Sequence, residues 1–237
     1  YKIPDESRHA KGKAIINLVG CETDEKVSAV IPIKDFDPDK YLIFATKNGL
    51  AKKTSIMEYS RPRQGGIWAI NLNENDDVVD VVMTDGTKQI MLATANGNAV
   101  RFNETDVRSV ARHSQGVRGI KLKGDDYVVG MVVADESKTL LTITENGYGK
   151  RTPVSDYRLI NRGGSGVINI KTTERNGKVV VIKILGDEDE LMLISVNGQV
   201  IRTSSKFISV IGRNTQGVTL MRMREGDKVA DAARILG

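Results

Sequence analysis

The apolar residues of this chain fall into short runs that recur about every 50 residues. Each run leads into Asn-Gly, and a second short segment carrying one or two basic residues follows. Asn and Gly both tolerate the positive φ of a type I′ turn, so the pattern predicts four β-hairpins with a type I′ turn each. The hairpins span residues 41–54, 89–102, 139–152 and 191–203, and their turn glycines are Gly49, Gly97, Gly147 and Gly198.

Two further elements recur in step with the hairpins. One is a glycine followed by an apolar strand, at 12–18, 66–72, 116–122, 166–172 and 217–223. The other is a valine-rich strand, at 27–30, 78–81, 128–131, 179–182 and from Val229 onward. Four strands in a unit of about 50 residues are typical of a propeller blade, and one short turn at 55–59 is the only helix-like segment expected.

The sequence therefore predicts an all-β chain folded as a single domain over residues 1–237. Its repeats are placed at about 19–72, 73–122, 123–172 and 173–223, with partial units at 1–18 and 224–237. Repeated units bury their apolar faces only against neighbours, which favours one domain over two. The two partial units are able to complete one another across a ring, so the pattern leaves ring closure open.

Composition narrows the class of protein. The chain has 237 residues, of which 40% are hydrophobic and 27% charged, as expected of a folded domain. Cys21 is the only cysteine, which excludes an internal disulfide and fits a reducing cytoplasm. No apolar run approaches the ~20 residues that span a bilayer, so no membrane association is expected.

Charge is segregated within the repeat. The net charge is +5. The four windows 49–66, 97–116, 147–166 and 198–217 hold 14 Lys/Arg and 4 Asp/Glu, a net of +10, which leaves −5 for the rest of the chain. Cations recur at two positions, or phases, of each repeat. One lies after Asn-Gly, and the other lies before the glycine that opens the following apolar strand. This second glycine is termed the loop glycine and is Gly12, Gly66, Gly116, Gly166 or Gly217. In a ring or arc of blades, equal phases map to equal positions, so a curved positive band along the rim is expected, and such a band suits the phosphate backbone of duplex DNA.

The candidate DNA-binding residues belong to these two phases or lie beside them. Arg63-Gln64-Gly65-Gly66 and Arg162-Gly163-Gly164-Ser165-Gly166 add backbone N–H groups that are expected to receive phosphate oxygens. Nothing resembles a recognition helix, so the expected binding is independent of base sequence. The candidate residues are Arg8, Lys11, Lys13, Lys52, Lys53, Arg61, Arg63, Arg101, Arg112, Arg118, Lys150, Arg151, Arg162, Arg202 and Arg213.

The sequence gives little indication of a catalytic, metal-binding or cofactor-binding site. His9 and His113 lie in basic loops and are expected to be solvated, and no catalytic residue, metal site or cofactor is predicted. The acidic pairs fall in turns beside strands, where solvated carboxylates are usual. Trp68 stands where sister units have Arg118, Ile168 or Thr219, so a partly exposed ring is expected, with packing in the core or on a platform favoured over stacking on bases.

The chain resembles the C-terminal domain of the DNA gyrase A protein. The repeated Asn-Gly hairpins carry the likeness, together with Glu145-Asn146-Gly147-Tyr148-Gly149-Lys150-Arg151-Thr152 and Ile211-Gly212-Arg213-Asn214-Thr215-Gln216-Gly217-Val218. The resemblance implies a β-pinwheel: a ring or spiral of four-stranded blades that exchange a strand with their neighbours. It also implies a basic outer rim that wraps duplex DNA in a positive, right-handed sense and so supports ATP-driven negative supercoiling.

The same resemblance implies the context of the chain. Catalysis and ATP hydrolysis are expected elsewhere in a holoenzyme, an A2B2 heterotetramer of the gyrase A and gyrase B proteins that acts at the nucleoid in the cytoplasm. The isolated domain is expected to be a monomer that cleaves nothing and needs no cofactor. The family's signature Gln-Arg-Arg-Gly-Gly-Lys-Gly box lies in its first blade, whereas this chain is expected to begin near the end of the second blade, and only Asn161–Gly166 echoes the box.

Two alternatives remain at this stage. The first is the corresponding C-terminal domain of topoisomerase IV, a close relative within the same family. The second is a propeller that serves as a platform for protein interaction, although the recurring cations favour nucleic acid over that class of partner.

Overall fold

The computed structural model describes residues 7, 9–12, 14, 17, 19, 27–63 and 66–235. These residues form four small β-sheets joined by loops and four short 3₁₀ turns, at Ile56–Tyr59, Glu104–Asp106, Val154–Asp156 and Ser205–Phe207. None of the helices in this part of the chain is long and apolar enough to cross a membrane.

The strands are β1 (Tyr41–Thr46), β2 (Leu50–Ser55), β3 (Val78–Thr84), β4 (Gln89–Thr94), β5 (Asn98–Asn103), β6 (Val117–Arg118), β7 (Val128–Val133), β8 (Thr139–Thr144), β9 (Tyr148–Pro153), β10 (Val167–Ile168), β11 (Val179–Leu185), β12 (Glu190–Ser195), β13 (Val200–Ser204), β14 (Val218–Thr219) and β15 (Val229–Ile235).

Each sheet is built on one of the predicted hairpins. From the inner to the outer strand, the orders are β3-β1-β2-β6, β7-β4-β5-β10, β11-β8-β9-β14 and β15-β12-β13. The inner strand is the valine strand that follows the hairpin. The outer strand comes from the chain beyond the next hairpin, so neighbouring sheets exchange a strand. This topology confirms the predicted all-β, propeller-like fold.

The strand pairing shows that the structural repeat begins at the hairpin, and not at the valine strand as predicted. The predicted bounds placed each valine strand ahead of a hairpin, whereas β3 pairs with β1, and β7, β11 and β15 likewise pair with the hairpin before them. Residues 27–30 and 66–72 are not strands, contrary to the prediction. Among the described residues no hairpin precedes β1, so neither segment has an edge to pair with. The partial unit at 12–18 lies largely outside the described residues.

The hairpin turns form, but not as type I′. Gly49 has a φ of +86°, whereas the φ of Asn48 is negative, and a type I′ turn needs both to be positive. The N–H of Gly49 donates to the carbonyl oxygen of Thr46 at 2.9 Å, which marks a three-residue loop that ends in a left-handed glycine. The N–H of Asn48 donates to Asp76 Oδ1 at 2.8 Å, and Asp76 is buried. This carboxylate holds the turn and is not the solvated group that the sequence suggested.

The hydrophobic core lies between neighbouring sheets. One cluster joins Ile43 of β1 to Ile90 and Leu92 of β4, and similar clusters join the second sheet to the third and the third to the fourth. Burying one such side chain contributes about 1.5–3 kcal/mol relative to leaving it exposed. Each sheet therefore depends on the next for its core.

Candidate nucleic-acid interface

The outer edge of each sheet lies opposite the packed inner strands. The inner strands β3, β7, β11 and β15 pack successively against one another. The two-residue strands β6, β10 and β14 lie at the opposite edges of their sheets. The loops that carry the predicted cations lead into these outer strands, so the outer strands and their loops form a rim.

The cation four residues after each hairpin glycine is buried in the first three sheets. Lys53 Nζ lies 2.9 Å from Glu104 Oε2, and both side chains are less than a tenth exposed. Arg101 Nη1 donates at 3.1 Å to the carbonyl oxygens of Val154 and Tyr157. In each case the partner belongs to the next unit along the chain, so the cation connects neighbouring blades.

The third connector of this kind is Arg151. Its Nε donates to the carbonyl oxygen of Ile208 at 3.2 Å, and its Nη1 to Asp187 Oδ1 at 2.9 Å. Arg202, at the same phase of the fourth hairpin, has no following unit to contact among the described residues. It is exposed and pairs with Glu190 on the adjacent strand.

The cation three residues after the glycine is also buried where it occurs. Lys150 Nζ donates to the carbonyl oxygens of Gly212 and Arg213 at 2.7 and 2.8 Å. Burial, assisted by the charge of Arg213, lowers the pKa of Lys150 from 10.5 to about 8. Lys52 Nζ donates to the carbonyl oxygens of Ala69 and Arg112, and burial followed by the charge of Arg112 lowers its pKa to about 8 as well.

The placement of these five side chains corrects the expectation that the cations after Asn-Gly face solvent along the rim. Their ammonium and guanidinium groups are already bonded to backbone carbonyls and carboxylates of the protein. They are therefore excluded from the candidate interface. The five are Lys52, Lys53, Arg101, Lys150 and Arg151.

The arginines ahead of the loop glycines are half-buried and share one contact. Arg112, Arg162 and Arg213 each donate through Nη1 to a carbonyl oxygen on the preceding glycine-led segment, at 2.9–3.1 Å. The acceptors belong to Trp68, Arg118 and Ile168, two residues after their glycines. A guanidinium has five N–H donors, so each of these arginines links two units and keeps donors for a ligand.

The glycine-rich loop at 162–166 is tied to the same segments. The N–H of Gly163 donates to the carbonyl oxygen of Gly119 at 2.6 Å, and the carbonyl oxygen of Gly164 accepts from Lys121 N at 2.9 Å. The N–H of Gly66 likewise donates to the carbonyl oxygen of Arg63. These two N–H groups are engaged within the protein, contrary to the expectation that they are free to receive phosphate.

The remaining candidates are exposed or lie outside the described residues. Arg8 and Lys13 belong to the second group. The exposed candidates are Lys11, Arg61, Arg63, Arg118 and Arg202.

Sequence reasoning missed a third recurring phase. The fifth residue after the loop glycine is an exposed cation in three units: Lys121, Lys171 and Arg222. Lys121 N and Lys171 N bond to the carbonyl oxygens of Gly164 and Thr215, so these residues lie beside the loops of Arg162 and Arg213. Exposed Arg108 and Arg158 recur in the same way just after the 3₁₀ turns. The signal was available, since these residues are spaced by the same period as the hairpins.

The four sheets pack side by side through their inner strands, and a strand from the next unit completes each of the first three. This arrangement defines a β-pinwheel. A family model described as "DNA gyrase C-terminal domain, beta-propeller" matches residues 40–85, 88–135, 138–185 and 189–235. The chain belongs to this family. Each matched segment begins at a hairpin and ends with its valine strand, which is the unit that the sheet pairing defines.

The relatives agree with this assignment. The chain is 57% identical over 235 residues to a DNA gyrase A protein of Halalkalibacterium halodurans, covering 99% of this chain and 28% of that protein. The chain thus spans just over a quarter of the length of the curated relatives that it matches.

Solved structures of related domains share the fold. A structure of a DNA gyrase A C-terminal domain has a TM-score of 0.86 at 27% identity, covering 96% of this chain and 76% of that one. The crystal structure of a C-terminal domain of DNA topoisomerase IV has a TM-score of 0.89 at 28% identity, covering 94% and 70%. The fold alone does not separate these two relatives, whereas the family model and the 57% identity to the Halalkalibacterium halodurans protein favour gyrase.

Proposed function

We propose that this chain binds duplex DNA independently of base sequence and bends and wraps it along the rim. In this role it supports ATP-dependent negative supercoiling by DNA gyrase, together with the rest of the gyrase A protein and with the gyrase B protein in an A2B2 heterotetramer at the nucleoid. The chemistry of strand cleavage and ATP hydrolysis is assigned to other parts of that assembly, and this chain acts as a monomeric binding domain within it.

The observation that carries the proposal is the recurrence of exposed cations on the outer strands and their loops. Arg118 and Lys121 adjoin Arg162, and Lys171 adjoins Arg213. A phosphate backbone laid along the rim meets a comparable group of cations at each blade. Because Lys and Arg that contact phosphate release counterions, binding of this kind is steeply dependent on salt. A rim that repeats at fixed intervals also favours a bent duplex over a straight one, since only a bent duplex reaches every cluster.

The test compares two triple variants of equal charge. In the rim variant, Arg118, Lys121 and Lys171 are replaced by Ala. In the control, the surface lysines Lys88, Lys138 and Lys228, which pair with nearby carboxylates and adjoin the inner strands β3, β7 and β15, are replaced by Ala. We expect the slope of log K against log salt for a duplex of about 40 base pairs to fall by about 2.7 in the rim variant, at roughly 0.9 per lost phosphate contact. The control should keep the wild-type slope.

Equal slopes in the two triple variants would refute the rim as the DNA-binding surface. Absence of DNA binding by the wild-type chain at low salt would refute the function itself and favour a platform for protein interaction.

Wrapping is tested by topology. A nicked circular plasmid is sealed by ligase with increasing amounts of the chain, the protein is removed, and the change in linking number is counted. A positive shift that the rim variant loses supports chiral wrapping. Binding without any shift would reduce the function to bending.

A further inference from the structure

Trp68 is the only tryptophan of the chain, and 77% of it is exposed. Such exposure of so large an apolar ring is unusual, since tryptophan is strongly buried on average in folded proteins. The sequence suggested a partly exposed ring that packs against the protein, whereas the structure directs most of the ring to solvent.

The exposure belongs to the position and not to a missing neighbour. Trp68 is the second residue after its loop glycine, and the sister residues at that phase are Arg118, Ile168 and Thr219. All three are exposed although their strands are paired with a hairpin, and Ile168 is 46% exposed. The second position of the glycine-led segment therefore faces outward from the rim in each of these units.

The backbone around Trp68 is firmly held. Arg112 Nη1 donates to the carbonyl oxygen of Trp68 at 3.0 Å, and the next carbonyl oxygen, that of Ala69, accepts from Lys52 Nζ at 2.6 Å and Tyr59 Oη at 3.0 Å. The ring lines an open cavity of about 390 Å³ together with Ile70, Asn71 and His113. An aromatic ring is thus presented on a rigid backbone, with an arginine beside it.

We propose that Trp68 is an apolar contact for duplex DNA, with its indole packed on the deoxyribose edges of the minor groove. The inference rests on the DNA-binding function proposed above. Binding without sequence preference requires a partner common to every nucleotide, and the sugar is the apolar group that all nucleotides share. Each sugar is flanked by phosphates, so a ring beside Arg112 meets a sugar when the guanidinium meets a phosphate. Apolar side chains of proteins that bend DNA commonly occupy the minor groove.

The sole tryptophan makes the contact directly measurable. Emission of Trp68 is recorded while the chain is titrated with a short duplex at low salt, and anisotropy of a dye on the duplex reports binding independently. We expect acrylamide to quench free Trp68 efficiently and to quench it at least about threefold less when the duplex is saturating. Added salt that releases the duplex should restore the quenching.

Moving the tryptophan supplies matched controls. In a Trp68→Phe background, Ile168→Trp places the probe at the same outward phase, whereas Met83→Trp places it on inner strand β3 at a residue of similar exposure, 41%. Protection by DNA is expected at 168 and not at 83. Protection at both positions would indicate a general effect of DNA on the fold and would overturn the assignment.

Affinity separates this contact from the phosphate contacts. We expect Trp68→Ala to weaken DNA binding about five- to tenfold with an unchanged salt slope, because an indole displaces no counterion. Arg112→Ala should instead lower the slope by about 1. Since Trp68 is exposed, the midpoint of urea unfolding of Trp68→Ala should match that of the wild type.

Three outcomes would overturn the inference. The first is duplex bound with Trp68 as accessible as before. The second is Trp68 already protected from acrylamide without DNA, which would mean that protein covers it. The third is wild-type affinity in Trp68→Ala. If the wild-type chain binds no duplex at all, the proposed function falls along with this inference, and the anisotropy signal distinguishes that case.

Discussion

The hairpin glycines offer a graded test of how the blades are joined. Gly147 and Gly198 share the same left-handed conformation, with φ of +82° and +81°. A Cβ on Gly147 would stand 2.1 Å from the carbonyl oxygen of Met221 in the next unit, whereas a Cβ on Gly198 meets nothing within 4 Å. The two substitutions to Ala therefore cost the same backbone strain and differ only in the contact with the neighbouring unit.

The magnitudes follow from the contacts that are lost. An L-residue in the left-handed region costs roughly 1–2 kcal/mol, which is the whole expected effect of Gly198→Ala. At Gly147 the carbonyl oxygen also accepts from Leu220 N and Met221 N at 2.9 and 3.1 Å. Displacing that segment removes two backbone hydrogen bonds at about 1 kcal/mol each, and exposes part of buried Met221. We expect Gly147→Ala to lower the free energy of unfolding by about 3–5 kcal/mol.

The other two hairpin glycines, Gly97 and Gly49, complete the series. A Cβ on Gly97 would lie 2.2 Å from the carbonyl oxygen of Ile170, and one on Gly49 would lie 2.9 Å from that of Ile120. Urea unfolding followed by circular dichroism should therefore rank the losses as Gly147 and Gly97 above Gly49, and Gly49 above Gly198. Equal losses at Gly147 and Gly198 would refute the view that the hairpin glycine is the docking point for the exchanged segment.

Two further predictions concern the buried charges. Glu104→Gln should lower the free energy of unfolding by about 3–5 kcal/mol because it leaves Lys53 charged and buried, and the double variant with Lys53→Met should recover much of the loss in the same urea assay. The lowered pKa values of Lys52 and Lys150 mean that the folded chain binds fewer protons than the unfolded chain between about pH 8 and 10.5. The free energy of unfolding should therefore rise with pH across that window, whereas a Lys52→Met, Lys150→Met double variant should lack this rise and run parallel to the wild type below pH 8.

The parts of the fold that sequence predicted are those set by local residues. A hairpin requires only an apolar run, a turn and a second run, all within about 14 residues, so the four hairpins were found. The turn type was missed because it depends on Asp76, 28 residues from Asn48, whose carboxylate accepts the N–H of Asn48. The valine strands from Val78 onward were found as strands, but their partners depend on sheet order, which a local pattern does not encode.

The proposed DNA-binding surface was harder to predict, because the sequence does not distinguish a buried basic residue from an exposed one. In β2, four consecutive residues from Ala51 to Thr54 are buried, since the strand is central in its sheet and covered on both faces. Period-two alternation therefore gives no signal for the side that Lys52 or Lys53 faces. The two carbonyl acceptors of Lys52 lie 17 and 60 residues away in sequence, the farther one belonging to Arg112.

The separation of the cations into buried and exposed groups changes which of them are available for the proposed DNA binding. The windows around the hairpin loops carry +10 in the sequence, but five of their fourteen cations are buried between blades and contribute little to the surface. Lys121, Lys171 and Arg222 lie outside those windows and return positive charge to the rim. The rim is thus defined by a later position in the repeat than the sequence indicated, and under the proposed function the buried cations influence DNA only indirectly. Lys150, for example, holds the backbone of the loop from which Arg213 reaches the preceding segment. In the proposed DNA complex, a connector of this kind sets where a phosphate contact lies, whereas a rim cation makes the contact.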